Sequence, residues 1–330
     1  MQANQITGIA KKNEEEGISL AVNSVPAVGI PRAMLYYRYG ILWEHFFQTL
    51  GVSTMLSPPG SRGILEAGTK LAPDESCLSM KMFMGHVDTL IGKCDSIFIP
   101  RYSNYGYTEL FCTRYEGIYD QARNIFRASG QRFITCNIDA QNGSPEPKAF
   151  EQFGVELGFS ARESRHAWRE ASRALKQHQK AEEHAQKELA SRPGMKILIA
   201  GHSYVLSDAY LGKPILDYLD AAGTISLRAD APEPETARKV CAKFSPTCRW
   251  LVSEEIVGGV LMWKDQVDGI ILVSAFPCGP DSMTNELLVR RIKGIPILTL
   301  VLDTQSGMAG IETRIESFLD IIRFQKGEMG

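Results

Sequence analysis

Short apolar runs rich in β-branched residues alternate with amphipathic helical patterns along almost the whole chain. The strand-like runs are Val25–Ile30, Val52–Leu56, Ser96–Ile99 and Arg132–Cys136 in the first half, then Lys196–Ala200, Thr224–Leu227, Gly269–Ala275 and Pro296–Leu302. Between them, helical spacing predicts Gly40–Leu50, Lys81–Gly92, Arg114–Ala128, Leu206–Ala222, Glu254–Lys264 and Ser282–Ile292. Such alternation makes successive strands parallel, because each crossover helix returns the chain to the same end of a sheet. A chain of 330 residues exceeds what one core usually supports. The expectation is therefore an α/β protein of two Rossmann-like or flavodoxin-like domains with parallel sheets, joined by a long helix. The joint is the polar, Ala-rich run from Ser160 to Ala190, opened by a Ser160/Glu163 capping box and closed by Pro193-Gly194. At 1.5 Å per residue it would extend about 45 Å across the surface. The predicted divisions are a polar segment 1–20, an N-terminal α/β domain 21–157, the connecting helix 158–194 and a C-terminal α/β domain 195–330.

A formal net charge of −2 with no long basic run argues against nucleic acid or an anionic membrane surface as a partner. No apolar stretch approaches the roughly 20 residues of a membrane span. The opening MQANQITGIAKKNEEEG lacks the apolar core of a secretory signal, so a cytoplasmic location is expected. In that reducing compartment an odd count of seven cysteines does not read as a disulfide framework. Nor does it show the CxxC spacing of a zinc ribbon or ferredoxin. The question becomes which cysteines meet in space.

Open parallel sheets bind ligands at the carboxyl ends of their strands, where loops lead into helix N-termini. Cys278, in FPCGPDS, follows the strand ending at Ala275; Gly279 permits a close turn, Pro280 suits a helix start, and Asp281 or Ser282 can cap. Cys112 lies in a long loop after Ile99, just before a helix from Arg114, and Cys77 sits among the capping types of PDESCLSMK. Helix N-termini favour thiolates and anionic ligands. Cys77, Cys112 and Cys278 are thus the candidate metal ligands, for a cluster between the two domains or for zinc with one open position. Cys94 belongs to the opposite sheet edge, Cys241 and Cys248 have no partner at useful spacing, and Cys136 at a strand end is ambiguous.

Several stretches carry a resemblance. VGIPRAMLYYRYGILWEHFFQTLGVSTMLSPP, DESCLSMKMFMGHVDTL and DSIFIPRY, with GHSYVLSDAYLGKPILDYL, SAFPCGPDSMTNELLVRRI and LVLDTQSGMAGIETRIESFLDII, resemble the acyl-CoA dehydratase activase-related (DUF2229-like) family. That family is similar to the cluster-bearing subunits of 2-hydroxyacyl-CoA dehydratases and benzoyl-CoA reductases. The resemblance implies a [4Fe–4S] cluster, alone or within a larger or paired cluster, on Cys77, Cys112 and Cys278. It also implies low-potential electron transfer under anaerobic conditions, a separate ATPase activase as electron donor, and an oligomer with a like or related subunit. The chain would act on an acyl-CoA or other small substrate, serve as an accessory electron carrier, or be a zinc-binding or metal-free degenerate member of the family. It has no Gly-rich phosphate loop of its own, so it is not expected to hydrolyse ATP alone. It departs from the family pattern at Ser79, at Cys112-Thr113-Arg114 and at Asp303-Thr304-Gln305, where an Asp-Glu-His run is usual.

His86, Lys81 and Glu75 beside the Cys77 motif, and His202 after the strand Lys196–Ala200, are the candidate acid–base groups. Arg32 and Arg101 follow strand ends and suggest interdomain salt bridges or anion pairing, and Asp281 suggests a helix cap. Ser/His/Asp hydrolysis finds no nucleophile elbow.

Overall fold

The computed structural model describes residues 27–327; the predicted segment 1–20 and the first residues of the strand predicted from Val25 lie outside the described residues. In the first half the elements are β1 (Val28–Ile30), α1 (Tyr36–Thr49), β2 (Thr54–Leu56), α2 (Arg62–Leu71), α3 (Leu78–Asp88) and β3 (Ser96–Phe98). They continue with β4 (Arg101–Gly106), β5 (Glu109–Leu110), α4 (Thr113–Ile125), β6 (Arg132–Ile134), β7 (Asn137–Asp139) and α5 (Glu146–Glu156). The long helix α6 (Ala161–Ser191) leads to β8 (Lys196–Ala200), α7 (Ser203–Leu206), α8 (Lys213–Ala221), β9 (Ile225–Arg228) and α9 (Pro234–Phe244). The chain closes with α10 (Leu251–Trp263), β10 (Gly269–Ala275), α11 (Gly279–Arg291), β11 (Ile297–Leu302) and α12 (Met308–Gln325).

Two four-stranded parallel sheets result, ordered β2-β1-β3-β6 and β11-β10-β8-β9. β10 is buried at every position, as a central parallel strand covered on both faces should be. In each sheet the strand order reverses beside the first strand, between β1 and β3 and between β8 and β10. Those are the switch points at which such sheets open a crevice at their carboxyl ends.

Several features differ from the sequence reading. The predicted loop after Ile99 contains strands, and β5-β4-β7 form a small mixed sheet with β4–β5 antiparallel and β4–β7 parallel. The predicted helix Leu206–Ala222 is two helices, because Asp208 Oδ1 accepts from the Tyr210 and Leu211 N–H groups (2.8 and 3.0 Å) and turns the chain between them. The connecting helix carries the Ser160/Glu163 capping box, but it is more than a surface strut. Buried Ala167, Ala171 and Leu175 lay it along α1, and it reaches β9 of the second half.

Helix α3, which begins just after Cys77, is clamped against α2 at two glycines. A Cβ on Gly68 would lie 1.7 Å from the Lys81 carbonyl oxygen, and one on Gly85 would lie 1.9 Å from that of Ile64. Backbone on both sides leaves nothing to move aside. Gly68→Ala is therefore expected to cost at least about 2 kcal/mol, seen as a lower urea midpoint with an unchanged slope.

Candidate metal centre

Each of the three predicted cysteines is the N-cap residue of a helix: Cys77 of α3, Cys112 of α4 and Cys278 of α11. None of the three makes a side-chain capping hydrogen bond. Backbone bonds hold the three caps together. The Leu78 N–H donates to the Phe276 carbonyl at 2.9 Å, tying the Cys77 cap to the loop that carries Cys278. The Leu110 N–H donates to the Arg249 carbonyl at 3.1 Å, docking the strand before Cys112 on the second half. The Phe276-Pro277 peptide just ahead of Cys278 is cis.

All three cysteines line one interdomain cleft with an open volume of about 30 Å³. It lies beyond the carboxyl ends of β8 and β10, at the switch point of the second sheet. Phe111, Tyr115, Tyr204 and Trp250 wall it, with Arg114 at its mouth. Met34, also in the wall, is the single non-glycine residue with positive φ (52°) among the described residues. Such backbone strain concentrates at functional sites. Burial pushes the Cys77 thiol up, while the Met80 N–H, Arg114 and the Ser79 N–H favour its thiolate and Cys112 opposes it. Burial and then the Asp281 carboxylate push the Cys278 thiol up strongly. Cys77 also pushes the Cys278 thiol up, a smaller effect than that of burial or Asp281.

His202, first residue beyond the Gly201 turn after β8, joins the cysteines in the cleft. Its Nε2 lies 2.8 Å from Asp281 Oδ1, and its ring stacks on Tyr204 at 4.7 Å between centroids. Asp281 is therefore an imidazole partner rather than the predicted helix cap. His202, Cys278 and Asp281 each offer one ligand atom, all within 4.8 Å of one another. His202 Nδ1 and Asp281 Oδ2 are buried without a hydrogen-bond partner among the described residues, which marks them as groups awaiting one. Sequence reasoning missed Tyr115, Tyr204, Trp250 and the Asp281–His202 pairing. The position of Asp281, one helical turn after Cys278, was the only available signal.

The other candidates are elsewhere. Glu75 is exposed and Lys81 half-buried, and neither lines the cleft. Arg101 does not bridge the domains: it pairs with Asp120 at 2.6 Å within its own half and stacks on Tyr119. Arg32 makes no interdomain pair among the described residues; its backbone N–H donates to Ser57 Oγ at 2.7 Å. Cys94 packs its sulfur against Gly29, at the opposite sheet edge as expected. Cys136 is buried beside Tyr102 and Glu146, outside the cleft. Cys241 and Cys248 do have a partner, namely each other: the two buried thiols shift one another's ionisation, Cys241 up and Cys248 down.

His86 sits in a buried chain of its own. Its Nδ1 is 2.8 Å from Ser57 Oγ, and its Nε2 is 4.0 Å from Asp208 Oδ2, too far for a hydrogen bond; that oxygen accepts from the Tyr37 hydroxyl at 3.2 Å. The order Ser–His–Asp suggests a hydrolase, but Ser57 and His86 are wholly inaccessible, so no substrate carbonyl can reach the hydroxyl. Burial, helped by Arg32, lowers His86 to about 4, so the ring is neutral and the Asp208 approach is not an ion pair. An unfolded chain takes up that proton below about 6.5, the folded one only near 4. The associated stability is complete above pH 6.5 and is lost as pH falls toward 4, by on the order of 3 kcal/mol. Urea unfolding at pH 7 and pH 5 should therefore show a smaller pH dependence in His86→Gln than in the parent.

Fold and site together define a two-domain α/β protein with a thiol-lined cleft at the carboxyl ends of its strands. The family model described as CoA enzyme activase uncharacterised domain (DUF2229) matches residues 27–231, and the chain belongs to that family. No curated protein gives a significant match to the sequence. Among solved structures it is similar to ZnuA at 9% identity, covering 91% of this chain and 98% of that one, with a TM-score of 0.25. It is also similar to a LacI family transcriptional regulator from Arthrobacter sp. FB24 in complex with lactose, at 16% identity, 89% and 90% coverage and a TM-score of 0.22. Among the described residues no helix is long and apolar enough to cross a membrane.

Proposed function

We propose that this chain holds an iron–sulfur cluster on Cys77, Cys112 and Cys278 and works in a cytoplasmic, ATP-dependent activation system for CoA-linked chemistry. A single observation carries the reading: three free thiols from separate elements, each at a helix N-terminus, line one interdomain cleft. The donor set suits the group, because three cysteines leave one iron for a non-cysteine ligand, and His202 and Asp281 stand within reach of Cys278. Such a cluster, when bound, supplies single electrons at low potential. The protein's own part is to exclude water with Phe111, Tyr115, Tyr204 and Trp250, and to hold a proton at His202 Nε2 against Asp281. Arg114 gives the mouth a positive charge. The family's description as a CoA enzyme activase supports a place in an enzyme-activation system, in which a separate ATPase would supply the electrons. A cleft of about 30 Å³ is far below the several hundred cubic ångströms of a ligand pocket. That favours an electron-carrying or accessory subunit of an oligomer over an enzyme that encloses an acyl-CoA.

A second reading rests on the same small volume: one metal ion such as zinc on His202, Cys278 and Asp281. Iron, acid-labile sulfide and zinc content, with an EPR spectrum, on protein purified without oxygen decides. Iron and sulfide in near-equal amounts support the cluster; zinc near one per chain replaces it by the second reading.

A further inference from the structure

A second and larger cavity, of about 400 Å³, lies on the other side of α7 and the first turn of α10 from the cysteine cleft. Connecting helix α6, helix α1 and the carboxyl end of β9 enclose it. Its size and its place between domains are those of a small-molecule site. We propose that this cavity binds a neutral, polyhydroxylated small molecule of the sugar class.

The charges in its wall select against other ligands. Two guanidiniums line it, and both are taken: Arg38 by Glu255 and Arg228 by Asp230, each in a two-point pair. Glu44 and Glu182 remain, so the wall has two more carboxylates than guanidiniums, and an anion is repelled. Glu182 lies 3.4 Å from His178, and Glu44 accepts from the Tyr36 hydroxyl at 2.9 Å, leaving further lone pairs for a ligand donor. A simple cation would satisfy the carboxylates but not the donors. Gln186 is only 6% exposed, and its Nε2 has no acceptor among the described residues; Arg38 Nε has none either. A buried donor without an acceptor is costly, so both ask for a ligand acceptor. Hydroxyl groups meet both demands without net charge, since each donates once and accepts twice. The Tyr36 and Tyr37 rings, set edge to face at 5.7 Å, add apolar surface for the C–H face of a sugar ring.

Calorimetric titration of the full-length protein tests this, with glucose, ribose and myo-inositol as neutral probes and glucose 6-phosphate and spermidine as charged ones. At least one neutral probe is expected to bind with Kd below about 1 mM and more tightly than either charged probe. Gln186→Leu should weaken it roughly tenfold, the loss of one ordinary hydrogen bond, and Glu44→Gln should weaken it similarly. Without ligand, Gln186→Leu should melt no lower than the parent. Cys278→Ala should leave the binding unchanged, which separates this site from the metal centre. Absence of binding by every neutral probe, tighter binding of a charged probe, or an unchanged affinity in either folded variant would overturn the proposal.

Discussion

Alanine at Cys77, Cys112 or Cys278 is expected to abolish retention of iron and sulfide after anaerobic reconstitution, whereas alanine at Cys94, Cys136, Cys241 or Cys248 leaves both in place. The expectation follows from position. The first three are half-buried N-cap residues on one cleft, while the others are packed against glycine, tyrosine or each other. Removing one sulfur from a half-buried cap should cost the fold only about 1 kcal/mol, since little apolar contact is lost. Loss of metal in a variant with near-parental urea midpoint therefore reports ligation, not unfolding. The pattern also separates the two metal readings. A single ion on His202, Cys278 and Asp281 would survive Cys77→Ala and Cys112→Ala but not His202→Ala, and that outcome would sink the cluster assignment.

How much of this was readable beforehand depends on the range of the interactions involved. The four central strands β1, β3, β8 and β10 announced themselves because apolar runs buried on both faces have few other stable placements, and the edge strands β2, β6, β9 and β11 followed from their alternation with helices. The three cysteine positions followed from chain order, since topology places every strand-to-helix loop on one side of a parallel sheet. β4 was not readable: RYSNYG is polar, and it is a strand because β5, β7 and the Phe111-to-Ser103 backbone bond hold it. Helix α2 was hidden for a related reason. Glycine is a poor helix former, yet Gly68 is what lets α2 approach the α3 backbone. His202 and Asp281 meet from opposite sides of the switch point, and no local spacing encodes that encounter.

The interface that creates the cleft also has an energetic keystone away from it, at Glu255. This carboxylate on α10, 4% exposed, is pushed up by burial and drawn back down by Arg38 of α1 and Arg238 of α9. Arg38 Nη2 donates to it at 2.8 Å and Arg238 Nη1 at 2.7 Å, while Arg238 also reaches Glu109 at 3.2 Å. Glu255→Leu would leave the mostly buried Arg38 without its salt-bridge carboxylate, whereas Arg238 would keep Glu109. The cost should be about 3–5 kcal/mol, the penalty of an uncompensated interior charge rather than the worth of the pair. Arg38→Met should cost less, because Glu255 keeps Arg238. The double variant Arg38→Met/Glu255→Leu should recover most of the loss, giving a large favourable coupling in a double-mutant cycle read by urea unfolding. Additive losses would mean that solvent reaches Arg38 once Glu255 is gone, and that the two halves are held instead by the backbone bonds at Leu78 and Leu110.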